Sequence, residues 1–122
     1  MLKVEAYWNA VISQNAVEMK RYFTDDAIVN WHCTNERFTA DEFIKANCEY
    51  PGKWNGEIEK SIVIDDNTVV TVVRVFNETV SCHAVSFIYH NGDKITSIDE
   101  YWSDDGEATD WRKAMKIGKA IK

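Results

Sequence analysis

The sequence predicts an α+β domain in which helices come first and a long antiparallel meander follows. Two observations carry this. Apolar residues recur at helical spacing as far as Cys48, then alternate at strand spacing from Trp54 to Trp102. Asn91-Gly92 lies between two strand-like runs, and that dipeptide is a strong hairpin signal because a type I′ turn needs positive φ at both central residues.

The elements follow in order. Val4, Tyr7, Trp8, Val11 and Ile12 keep i, i+3, i+4, i+7, i+8 spacing, an amphipathic helix with an aromatic inner stripe. Asn15 with Glu18 three residues later reads as an N-cap and opens a short helix through Phe23, which Thr24-Asp25-Asp26 ends. Ala27 to Cys33 reads as a strand, with a return strand over Glu36 to Phe38. Thr39 and Glu42 form a second capping box before Ala40, Phe43, Ile44 and Cys48, and Pro51-Gly52 breaks that helix. Four strands are expected over Trp54–Ile64, Thr68–Asn77, Val80–His90 and Asp93–Trp102. The tail from Ser103 turns acidic and then basic, with Trp111, Met115 and Ile117 as isolated anchors.

Bulk properties narrow the function classes. At 122 residues the chain fits a single domain spanning residues 1–122, and a hydrophobic content of 45% supports a real core rather than disorder. The net charge of −6 and the lack of any Lys/Arg run interleaved with aromatics argue against nucleic acid and anionic membranes as partners. The N-terminal residues alternate at helical spacing with no apolar signal-peptide core, and Val69 to Phe76 is too short and too interrupted to cross a bilayer. Cys33, Cys48 and Cys82 are odd in number and widely spaced, so free thiols in a reducing cytoplasm are the simplest account. His32-Cys33 and Cys82-His83 lack metal-ligand spacing and no phosphate-binding glycine loop occurs, so neither metal nor cofactor is expected.

A candidate site comes from strand register. With Asn91-Gly92 as the two-residue turn, His90 pairs with Asp93, and counting back along both strands sets His83 opposite Glu100. Alternation then gathers His83, Val85, Phe87, Thr96, Ile98, Glu100 and Trp102 on one face. A turn at Glu78-Thr79 sets Arg74 opposite His83, so a row Arg74–His83–Glu100 is expected, with its ends about 9–10 Å apart at the backbone. In that row Arg74 and desolvation oppose an imidazolium. His83 would be a neutral base, Glu100 would orient it, and Arg74 would keep Glu100 ionised. The same groups could instead merely satisfy one another inside the sheet. Tyr7, Trp8 and Trp31 are candidates to line a pocket, although aromatics at such spacing are more often core. Cys33 shares the face of Trp31 and reads as a buried, inert thiol, and His90 reads as a solvated hairpin residue.

Tyr22-Phe23-Thr24-Asp25-Asp26-Ala27 before the first strand, Gly92-Asp93-Lys94-Ile95 before the last, and Asp99-Glu100-Tyr101-Trp102-Ser103-Asp104 closing it resemble the SnoaL-like branch of the nuclear transport factor 2 superfamily. The resemblance runs from Met1 to about Trp102, and the tail Asp104 to Arg112 is similar to that of an uncharacterised bacterial subgroup. It implies a cone: a curved antiparallel sheet packed on three N-terminal helices, with an internal pocket. Members include ketosteroid isomerase, scytalone dehydratase, limonene epoxide hydrolase, polyketide cyclases and non-catalytic binding modules, so fold alone does not assign function. By this resemblance Glu100 matches the pocket carboxylate on the last strand of limonene epoxide hydrolase. Trp31 stands where ketosteroid isomerase holds its aspartate base, and an indole cannot abstract a proton. His83 is similar to the pocket histidines of scytalone dehydratase.

Three functions follow as alternatives. One is a cofactor-free acid/base enzyme (lyase, isomerase, cyclase or epoxide-hydrolase type) acting on a small apolar molecule, with His83, Glu100 and Arg74 catalytic. Tyr7, Trp8, Trp31, Val85, Phe87, Ile98 and Trp102 would then bind substrate. The second is a binding domain with the same pocket and no turnover. The third is a dimeric interaction module. Because three helices cannot cover both sheet faces, a homodimer is expected through an outer face carrying Val69, Thr71, Val73, Val75, Ala84, Ser86, Ile88, Ile95 and Ser97.

Overall fold

The computed structural model describes residues 1–122. Helices α1 (Val4–Ile12) and α2 (Ala16–Lys20) lead into β1 (Phe23–Trp31), a 3₁₀ turn (His32–Thr34), β2 (Glu36–Thr39) and α3 (Ala40–Cys48). The meander β3 (Asn55–Asp65), β4 (Thr68–Phe76), β5 (Ser81–Asn91) and β6 (Lys94–Asp104) follows, then a short α4 (Asp110–Ala114). The strands form one curled, unclosed sheet in the order β2-β1-β6-β5-β4-β3. The meander pairs antiparallel as expected, but β1 runs parallel to β6, so the sheet is mixed.

Local chemistry accounts for most element boundaries. Thr39 accepts from the Glu42 amide while the Glu42 carboxylate accepts from the Thr39 amide, a complete capping box at α3. Asn15 caps α2 by accepting from Glu18 N. Only a tertiary contact explains Phe23 to Asp26, expected to end a helix but found in β1. Phe23 pairs with Ile95, and Ile95 N donates to Tyr22 O at 2.6 Å, so β6 pulls this segment into the sheet. Gly56 on β3 lies under α1, where an added Cβ would meet Ile12 Cγ1 at 2.5 Å, so this strand position has room for no side chain.

The core lies between the helices and the concave face of the sheet. Tyr7 packs edge-on against Trp8, Tyr22 and Phe23, and Phe23 against Phe43. Val69, Thr71, Val73, Val75, Ala84, Ser86, Ile88 and Ile95 close the same core from the sheet side. These are the residues expected on an exposed outer face, so that assignment is reversed. The convex face instead presents Val70, Val72, Arg74, His83, Val85, Phe87 and Tyr101.

The reversal originates at the β5–β6 hairpin. Asn91 pairs with Lys94, so the turn is Gly92-Asp93, with Gly92 at φ +61° in the first central position. Positive φ at that position alone is the type II′ pattern. This shift moves the register by two and keeps relative facing. The ladder then shifts between Tyr89 and His90, where Tyr89 pairs with Ser97 but His90 with Ile95. The extra residue, Thr96, is a bulge, and one residue of slip inverts every facing beyond it. His83 therefore pairs with Ser103, and Ser86 takes the place opposite Glu100. His90, expected in solvent, is buried at 8% exposure and bonds Gly92 O through Nδ1 at 2.9 Å. Trp111, Met115 and Ile117 are 64%, 55% and 61% exposed and anchor nothing.

Candidate functional site

The expected row Arg74–His83–Glu100 divides into two groups on opposite faces. Arg74 does pair with His83 across β4 and β5. On the concave side the register instead lines up Thr71, Ser86, Glu100 and Trp31 across β4, β5, β6 and β1.

Glu100 is the centre of the concave group. It is 1% exposed. Its Oε1 accepts from Trp31 Nε1 at 3.1 Å and Trp102 Nε1 at 2.8 Å, and its Oε2 accepts from Ser86 Oγ at 2.5 Å. Burial pushes the carboxyl above the ordinary range, and the three donors only partly offset that. Nearby in the same core, Trp8 Nε1 donates to Thr71 Oγ1 at 3.1 Å, while the Tyr7 hydroxyl is buried with no partner. Burial, then the charge of Glu100, raises the Tyr7 phenol far above its normal value.

The convex group has different chemistry. His83 Nε2 lies 3.1 Å from Glu59 Oε1, and His83 Nδ1 bonds Asp105. Both ring nitrogens face carboxylates, which only accept when ionised, and this arrangement favours the imidazolium. The bonds from Asp105 and Glu59 hold its pKa above the usual histidine value. His83, expected as a neutral base beside Glu100, instead ties the tail to the sheet through Asp105, with its environment favouring the charged form. Ser81 Oγ donates to Asp105 Oδ2 at 2.5 Å, Asp105 N donates to Ser81 O at 3.0 Å, and Arg74 Nε donates to Ser81 Oγ at 3.1 Å. Arg74 also reaches Glu57 at 3.7 Å and covers the Phe76 ring at 3.9 Å. Val85 and Phe87 share this convex face, away from Glu100.

A cavity of about 270 Å³ opens beside Glu100, between α1, the end of α3 and the strand ends near β6's C-terminus. Trp31 and Trp102, both expected in a site, line it. Glu100 stands behind their indoles rather than in the wall. Tyr7, Trp8 and Ile98, also expected, are core residues at 0%, 2% and 0% exposure and do not reach the wall. The sequence reading missed Val11, Ile12, Tyr50, Trp54, Val75 and Asp104 in the wall. Ile12 and Trp54 were visible as apolar residues, but only the turn after α3 brings Trp54 under α1. Cys33, expected as a buried thiol, is exposed on the 3₁₀ turn at the rim, and Cys33, Cys48 and Cys82 are all free. No helix is long and apolar enough to cross a membrane, and no cluster of His, Cys, Asp and Glu has metal-binding geometry.

No protein-family model matches the sequence, and no curated protein does. Solved structures do match. A Kribbella flavida protein provisionally assigned as a ketosteroid isomerase has a TM-score of 0.80 at 17% identity, over 98% of this chain and 87% of its own. A Catenulispora acidiphila protein of ketosteroid isomerase-like fold, in complex with trimethylamine, has a TM-score of 0.67 at 17% identity, over 84% and 88%. An LEH-like epoxide hydrolase of M. tuberculosis has a TM-score of 0.66 at 16% identity, over 82% and 79%. With the curled six-stranded sheet wrapped on its helices, these likenesses establish that the chain has the nuclear transport factor 2-like cone fold.

Proposed function

We propose that this chain is a small-molecule-binding domain. Its ligand would occupy the cavity against Trp31 and Trp102, with Glu100 as the buried acceptor that fixes both indoles. The observation that carries this reading is the state of the ionisable groups. Glu100 is enclosed with three donors satisfied, and the wall contains no histidine, lysine or arginine. Tryptophans whose N–H groups are committed behind the wall present rigid apolar surface to an occupant, the usual make-up of a ligand site. Proteins of the same fold handle small molecules in both ways: one is an epoxide hydrolase, and one holds trimethylamine. Native mass spectrometry of purified protein, with a Trp102→Ala control, tests the reading. It expects an adduct in the parent that the variant loses.

Acid/base catalysis is the second reading, and the upward shift of the Glu100 pKa favours it, since raised carboxyl pKa values are the usual tuning of a general acid or base. Turnover of hydroxyketones or epoxides that disappears in Glu100→Gln would select it. His83 and Arg74 would not take part in that chemistry; on the convex face they would dock the tail instead. We also propose a homodimer through the convex face, where Phe87 and Tyr101 are 37% and 42% exposed and pack edge to face.

A further inference from the structure

The polar groups around the cavity are sorted by sign. Five side-chain nitrogens that could donate into it are turned away onto protein acceptors. Gln14 Nε2 donates to Asn47 O at 2.9 Å and Tyr50 O at 2.8 Å, and Asn47 Nδ2 donates to Val11 O at 2.9 Å. These partners are backbone carbonyls, so the amide orientation is dictated by chemistry. Trp54 Nε1 donates to Pro51 O at 3.2 Å, and the Trp31 and Trp102 indoles donate to Glu100. What remains is the amide oxygens of Gln14 and Asn47, four aromatic rings, the Thr34 and Tyr50 hydroxyls, the Cys33 and Cys82 thiols, and one carboxylate. That carboxylate, Asp104, is the only charged side chain in the wall, and its oxygens take part in no hydrogen bond or ion pair.

Gln14 adopts φ +55° where α1 closes in a Schellman motif, with Gln14 N donating to Val11 O at 3.1 Å and Asn15 N to Ala10 O at 3.0 Å. From that position its side-chain amide reaches the two carbonyls at and just after the end of α3. Behind the wall, the Glu100 carboxylate accepts from two of the indoles, and such bonds enrich the rings in electron density.

Resting on the reading of this cavity as a ligand site, we propose that its occupant is a small organic ammonium ion with an apolar body. Trp31, Tyr50, Trp54 and Trp102 supply rings of negative face, Asp104 supplies the counter-charge, and no cation in the wall opposes it. An anion would find neither a cation nor a free nitrogen donor. A neutral apolar molecule would gain the contact area but nothing from the exposed Asp104 carboxylate. The volume, about 270 Å³, lies just below the ~300–1,000 Å³ typical of ligand pockets, which restricts the body to a few carbons or one ring.

Matched probes that differ only in charge test this on the intact chain. Choline and its carbon isostere 3,3-dimethyl-1-butanol have the same shape, and benzyltrimethylammonium extends the series by one ring. Tryptophan fluorescence and calorimetric titration should show an ammonium probe binding, and choline at least about tenfold tighter than its isostere. Asp104→Asn, a surface change that leaves the thermal melt in place, should remove most of choline's advantage and leave the isostere unchanged. Equal or tighter binding of the isostere overturns the ammonium assignment while leaving the ligand site standing. So does failure of both ammonium probes in a protein that carries a neutral adduct. If no probe binds and no adduct is found, the ligand-site reading itself fails and this inference falls with it.

Discussion

Replacing Glu100 separates a buried acceptor from a buried charge. In Glu100→Gln the amide oxygen can accept from Trp31 and Trp102, and the amide nitrogen can donate to Ser86, whose hydroxyl reverses its role. Few hydrogen bonds are lost, so the cost from that source is below about 1 kcal/mol. Glu100→Leu strands all three donors. Ser86 is fully buried, and its loss is of order 1–3 kcal/mol; the indoles are half-buried and can reach water, so they add about 0.5–1 kcal/mol each. Relief of carboxyl desolvation offsets part of this, leaving about 2–3 kcal/mol, or a drop in Tm of about 10 °C for a chain of this size. The pH dependence carries the sign. Burial raises the folded-state pKa of Glu100, so the stability it allows is fully present below the ordinary glutamate value of about 4.3 and is lost as pH rises through the folded value. Gln cannot ionise. The stability of Glu100→Gln minus that of the parent should therefore rise from about pH 4 upward and then level, by ~1.4 kcal/mol for each unit of displacement. All other titrating groups are shared and cancel in the difference. Urea unfolding across pH 4–8 measures it. A flat difference, or one that falls with pH, refutes the claim that burial dominates at Glu100, as does a Gln variant as unstable as the Leu variant.

The remaining predictions concern other parts of the molecule. His83, held between Asp105 and Glu59, should titrate above the usual 6.5 or so in an NMR pH series; its stabilisation is complete below that value and fades as pH rises through the folded one, and His83→Gln should remove that slope. A ring titrating at or below the free value counts against the tail-docking role. Gly56→Ala should force Ile12 toward the cavity, costing about 1–3 kcal/mol and weakening any ligand, which calorimetry would register. Phe87→Lys should yield a monomer in sedimentation runs where the parent is dimeric, with no change in ligand affinity; an unchanged dimer removes the convex face as the interface.

Periodicity and caps were enough to determine the α+β order, both helix caps, the four-strand meander and the Arg74–His83 pairing, because each depends on residues close in sequence. Alternation on the last strand also reads Glu100 and Trp102 as inward-facing, with the resemblance supporting Glu100, and the resemblance on the first strand places Trp31 near a pocket. Three things depended on contacts distant in the chain. The parallel pairing of β1 with β6 drew Phe23 to Asp26 into the sheet. The cavity wall needed the turn after α3 to carry Tyr50 and Trp54 toward α1. The bulge at Thr96 set which face His83 occupies. Hairpin alternation carries no record of a bulge: the same alternating residues fit either facing, and the choice is made by which set buries more apolar area against the helices. Val69, Val73, Val75, Ala84 and Ile88 outweigh Val70, Val72 and Val85 with the polar Arg74 and His83 among them, so the sheet turned its imidazole outward and kept its carboxylate in.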